Sequence, residues 1–152
     1  MQLLTACNAR RRVACYVAQD ESDGQEFTKD ASKVRVVNNI RYREDGLGWR
    51  GSLYRQIFVL DVSSGGTNQV TFAKGDHWSP SWSPDGTRIA FVSDMENDRD
   101  IEDSNAAYVI SSEGSEPEKW SHGLITVERS VWSPCGNKIA VFGSQDPKAE
   151  VW

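Results

Sequence analysis

The chain lacks most of what would mark a helix, a membrane span or a metal site. None of its apolar runs approaches the roughly 20 residues that a helical span needs. No capping box is followed by a 3.6-period apolar face, so helix signals are nearly absent. There are only two histidines, His77 and His122. The three cysteines, Cys7, Cys15 and Cys135, include no C-x-x-C pair. A zinc site needs such ligands in clusters, so the odd cysteine count reads as reduced, partly buried thiols. A basic excess is missing too. The net charge of −5 is the wrong sign for a surface that grips phosphates. Neither nucleic acid nor membrane is expected as a partner, and no cofactor is expected. "LLTAC", from Leu3 to Cys7, looks like a lipoprotein cleavage box. A signal peptide would need a basic start and an apolar run before it. Here Arg10, Arg11 and Arg12 come after it instead, so the match reads as chance.

What the chain does have is a repeat. "WSPDGTRIAFVSD" begins at Trp82 and "WSPCGNKIAVFGS" begins at Trp132. The 50-residue offset recurs in a second pair, where Phe58, Val59 and Leu60 meet Tyr108, Val109 and Ile110. Two separate segments sharing one offset point to a structural repeat. Each unit carries a turn. Pro84 and Pro134 preset φ at the second turn position, and Gly86 and Gly136 relieve the fourth. Asp85 of the first copy is Cys135 in the second, which fits a turn role. Short apolar runs, "RIAFV" and "KIAVF", come after each turn at strand length.

One unit therefore predicts four antiparallel strands. The first carries Trp82, the second spans 89–92, the third 107–110, and the fourth lies around 118–120. That is the size of one propeller blade. Trp82 and Trp132 are expected to pack between neighbouring blades, because indole offers the largest apolar area of any side chain. The fold class expected is all-β: a partial β-propeller of about two and a half four-stranded antiparallel blades. Residues 1–72 read as one blade with an insertion over 30–51. Residues 76–121 read as a complete blade, and 128–152 as the opening strands of a third. Closed propellers typically have four to eight blades, so the chain reads as part of a longer protein or as one of several assembling copies. Its open edges predict poor solubility or association.

Several motifs fail on context. "GLGWRG" (Gly46, Gly48, Gly51) fits the dinucleotide fingerprint in spelling. That site needs a helix after the glycines, and "SLYRQIFVLDV" reads as a strand. "DMENDRDIED" is rich in carboxylates, yet Arg99 and Asn105 occupy the places where a calcium loop needs Gly and Glu. No glycine has serine two residues later, so the nucleophile elbow of α/β-hydrolases is absent. No catalytic, cofactor-binding or metal residue is expected. "NNIRYREDGLGWRG" is the least repeat-like stretch. Its Arg41, Arg43 and Trp49 are candidate peptide contacts, since arginine beside aromatics grips carboxylates. A solvated connector is the plainer reading.

The two repeat sentences, with "IFVLDVSSGGTNQVT", resemble the repeats of TolB-like β-propellers. The segment "VRVVNNIRYREDGLGWRGSLYRQIFVLDV" resembles the N-terminal propeller of acylaminoacyl-peptidase or dipeptidyl-aminopeptidase-type serine peptidases, of the prolyl oligopeptidase family. That resemblance implies a non-catalytic propeller that gates short-peptide access to a C-terminal α/β-hydrolase domain. The triad would lie in that domain, which this sequence does not contain. The partners implied are the missing remainder of the propeller, the hydrolase domain and short peptides. A cytoplasmic location is implied. The alternative is a TolB-like protein-binding scaffold, which would be periplasmic. A small stand-alone propeller closed by oligomerisation is the third reading.

Overall fold

The computed structural model describes residues 54–95 and 104–146 in full, and the backbone strands among residues 2–7, 12–20, 43–44, 48–49 and 53. All regular structure among them is β. The first sheet runs β1 (Gln2–Cys7), β2 (Arg12–Asp20), β5 (Leu53–Asp61) and β6 (Thr67–Gln69), in that order across the sheet. Between β2 and β5 in the chain lies a separate two-stranded ribbon, β3 (Arg43–Glu44) paired with β4 (Gly48–Trp49). The second sheet runs β7 (His77–Trp82), β8 (Arg88–Ser93), β9 (Ala106–Ser111) and β10 (Glu118–Lys119). A third pairs β11 (Thr126–Trp132) with β12 (Ile139–Ser144). Neighbouring strands are antiparallel throughout.

The first two sheets share one internal register. Ala90 faces Val109 and Phe91 faces Tyr108 in the second, as Ala14 faces Val59 and Cys15 faces Phe58 in the first. The repeat extends to the third sheet. Trp82 pairs with Ile89, and Trp132 pairs with Ile139. Both first strands carry a bulge, but it is shifted. In β7 it lies between Trp78 and Ser81, around Ser79 with its positive φ of 53° and around Pro80. Proline has no N–H to give to the ladder. In β11 the counterpart of Pro80 is Ser130, which pairs with Val141, and the bulge moves to between Val127 and Arg129.

A lone sheet this size cannot cover both faces, and here the sheets stack. β7 touches β1, β2 and β5 on one side and β11 on the other. Strand alternation sends Ile89, Phe91, Tyr108 and Ile110 to one face of the second sheet and Ala90, Val92, Ala107 and Val109 to the other. The first set joins Trp82 against Ile57, Val59 and Val70 of the first sheet and its exit segment. Ala90 and Val109, from the small-residue face, receive Trp132, Trp120 and Ile139. Val92 and Ala107 receive Val127, Leu124 and Val141, with Trp78 alongside. Bulky residues fill one interface from the second sheet's side, and small ones leave room for indoles at the other. This is a partial β-propeller of two four-stranded blades and the first two strands of another.

Candidate functional site

The residues that the sequence singles out fall into two groups, and the structure builds only one into a site it describes. Trp82, Pro84, Asp85, Gly86, Trp132, Pro134 and Gly136 form two copies of one clamp at the end of the blade's first hairpin. Ser83 N–H donates to Arg88 O at 2.9 Å, and Gly86 N–H donates to Ser83 O at 2.9 Å. Ser133 N–H to Lys138 O and Gly136 N–H to Ser133 O repeat these bonds at 2.9 Å each. The glycines sit at φ 69° and 72°, in the left-handed region that a Cβ disfavours.

Serine is the part of the clamp that the sequence reading missed. Arg88 N–H donates to Ser83 Oγ at 2.9 Å, and Lys138 N–H donates to Ser133 Oγ at 3.1 Å. Ser83 Oγ in turn donates to Asp85 Oδ1 at 2.6 Å. Thr87 adds its backbone N–H at 3.0 Å and its hydroxyl at 2.8 Å to the same oxygen. These bonds, led by that from Ser83, lower the Asp85 pKa to about 2. The recurrence of serine directly after both tryptophans was the available signal.

Cys135 takes the place of Asp85 in the second copy. It is free, as expected, but exposed, where partial burial was expected. The cause is positional. It occupies the turn position of Asp85, which is exposed too. Its Sγ lies 3.3 Å from Ser133 Oγ and donates to Asn137 Oδ1 at 2.6 Å. The bond from Ser133, then that from the Asn137 backbone N–H, holds the thiol below its ordinary pKa.

Each clamp fixes a tryptophan between blades. Trp82 and Trp132 are 8% and 7% exposed, so both indoles are interface cores and not surface groups. Trp132 N–H reaches Ser81 Oγ across the blade boundary at 3.4 Å. Arg88 leaves its own clamp to lie over the next blade's indole, with Cζ 4.7 Å from the Trp132 ring centre and 5.7 Å from that of Trp120. Those two rings lie 5.7 Å apart. Sequence spacing did not reveal this cation on an aromatic pair, because its partners lie on three different strands or their flanks.

A polar belt ties the first blade to the second. Thr71 hydroxyl donates to Gln56 Oε1 and accepts from Ile57 N–H, both at 2.8 Å. Arg55 N–H donates to Asp76 Oδ1 at 2.8 Å, and Asp76 N–H donates to Asp94 Oδ1 at 2.6 Å. These groups are buried or half-buried and bonded to one another, which makes the belt a structural joint.

The second group is the candidate peptide contacts. Arg43 and Trp49 pair across the β3–β4 ribbon. Arg41 lies outside the described residues. Gly48 lies in β4, while Gly46 and Gly51 fall outside the described residues. The element after the glycines is strand β5 and not a helix, and this removes the dinucleotide reading. Of the acidic loop, 96–103 lies outside the described residues, and no metal-holding cluster occurs among the described ones. His77 is fully buried, edge-on to Phe91 at 5.4 Å.

No known family profile matches the chain. Among curated proteins it is similar to the uncharacterized peptidase YuxL of Bacillus subtilis, 28% identical over 116 residues. That match covers 76% of this chain and 16% of the relative, so the chain spans about a sixth of that protein's length. Among solved structures it is similar to the β-propeller domain of the Trilobed protease from Pyrococcus furiosus, which has an open velcro topology. The TM-score is 0.57 at 13% identity, covering 94% of this chain and 34% of that one. TolB from Acinetobacter baumannii aligns over 56% of this chain and 20% of its own, at 22% identity and a TM-score of 0.46. The stacked sheets, the clamps and the protease-propeller likeness agree on the fold: the chain is a segment of a β-propeller.

Proposed function

We propose that the chain is a non-catalytic propeller segment of a serine peptidase of the prolyl oligopeptidase family. In the parent protein it gates the passage of short peptides to a C-terminal α/β-hydrolase domain. The observation that carries this reading is the 28% identity to a peptidase over three quarters of the chain. The propeller fold supports it, since a ring of blades narrows the way to whatever it caps. The clamp chemistry fits as well. Asp85, Ser83 and Ser133 are engaged in their own turns and the tryptophans in the contacts between blades, which gives them a structural role. The missing partners are the further blades and the hydrolase domain.

Activity assays on the full-length protein and on the 152-residue chain test this. The full-length protein should cleave a short acylated peptide p-nitroanilide, lose that activity to a fluorophosphonate, and leave casein intact. The short chain should cleave neither substrate. A full-length protein that cleaves neither would remove the peptidase reading and leave a binding propeller. Cleavage of casein at a rate matching the short peptide would remove gating.

A further inference from the structure

We infer that the outer face of the third sheet seats the first strand of another tryptophan-bearing blade, with Lys138 lying over that blade's indole. This deepens the proposed function. It rests on the chain being part of a larger propeller, and it does not need the peptidase assignment.

One kind of face occurs twice in the molecule. In the second sheet, Ser81, Ala90 and Val92 point towards the third, and Ala90 and Val92 are fully buried there. Their covers include Trp132, Val127 and Leu124, which come from β11 and the segment leading into it. Arg88, at the rim, lies over Trp132. Fifty residues on, the same positions are Val131, Ala140 and Phe142, with Lys138 at the rim. The ladder register is conserved next to the turn, where Ser81 pairs with Ala90 and Val131 with Ala140, and shifts by one residue at Phe142, which pairs with Arg129 where Val92 pairs with Trp78. Yet Val131 is 47% and Phe142 is 59% exposed, and Ala140 and Lys138 are exposed too. The face is apolar apart from exposed Arg129 beside Phe142, and it has a cation at the position that Arg88 holds one blade earlier. Lysine over tryptophan is a favourable pair, though it lacks the stacking plane of arginine.

The occupant is a further blade and not a second copy. A second copy stacked head-to-tail would present its own first strand, β1. That strand reads Q-L-L-T-A-C and has no tryptophan to meet Lys138. The repeat itself supplies W-S-P on the first strand of a blade, as in β7 and β11.

Thiol labelling tests this on the short chain and on the natural full-length protein. Val131→Cys and Phe142→Cys variants are treated with a maleimide and the labelled sites read by mass spectrometry. Labelling should be slower by at least about tenfold in the full-length protein than in the short chain at low concentration. Lys138→Ala should lower the full-length protein's melting temperature by about 1–3 °C, and Lys138→Arg should restore it. Equal, fast labelling in both forms overturns the proposal, as does a natural protein that ends at Trp152. Protection confined to the concentrated short chain, with fast labelling of the full-length protein, also overturns it, in favour of a second copy. A Lys138→Ala protein that melts like the wild type overturns the cation contact. A protected face in a protein without peptidase activity would leave this inference standing while the peptidase reading falls.

Discussion

At the scale of single residues, the two copies of the clamp make an internal experiment. Asp85 accepts three hydrogen bonds, and its pKa lies at about 2 against an ordinary 3.8. A lowered folded-state pKa means that the carboxylate adds stability in full above about pH 3.8. That contribution fades as the pH falls through about 2. An NMR titration should place the Asp85 midpoint near 2, and a midpoint near 3.8 would show that the Ser83 and Thr87 bonds do not persist in solution. The serines differ in burial. Ser83 is 2% exposed, while Ser133 is half-buried. Replacing Ser83 by alanine strips Arg88 N–H of a partner at a buried hydroxyl and removes one of the three bonds to exposed Asp85. The expected cost is about 1–3 kcal/mol, and Ser133→Ala should cost clearly less. Chemical denaturation of the two variants checks the order.

At the scale of strands and sheets, the second hairpin shows how drift is absorbed. Gly143 takes the place of Ser93. A Cβ at Gly143 would collide with the backbone carbonyl of Thr126 and press on Val127 Cα at 3.1 Å. Both obstacles are backbone atoms and not a flexible side chain, so the strand itself would have to move. Gly143→Ala should therefore destabilise by about 1–3 kcal/mol, whereas the matching position opposite His77 accommodates Ser93. A thermal melt of the variant with no loss would contradict this.

Much of this level was legible in the sequence. The short continuous apolar runs after each Pro-x-Gly turn pointed to β8 and β12, and the shared 50-residue offset pointed to the blade. Indole size alone placed Trp82 and Trp132 between sheets. What stayed hidden depends on contacts between distant strands. The reach of Arg88 to Trp132, the Thr71–Gln56 bond and the division of the second blade into a bulky and a small face all need the stacking to be known first. The exposure of Cys135 was misjudged because residue type was weighed above its turn position.

For the whole molecule, the consequence is an unfinished stack. Two blades and a hairpin cannot close a ring that typically takes four to eight blades. Val131 and Phe142 are left in water, as are Phe72 and Val62 nearer the first blade. The short chain alone should associate as its concentration rises, and sedimentation velocity should show a mass above 17.0 kDa. A strictly monomeric boundary with a sharp two-state melt would count against open interblade faces.

Whether these blades belong to a peptidase's propeller is decided by the coding sequence on both sides of this frame. The account predicts that it runs on through more W-S-P-x-G repeats into a G-x-S-x-G hydrolase domain. Further repeats that stop without such a domain would contradict the peptidase reading.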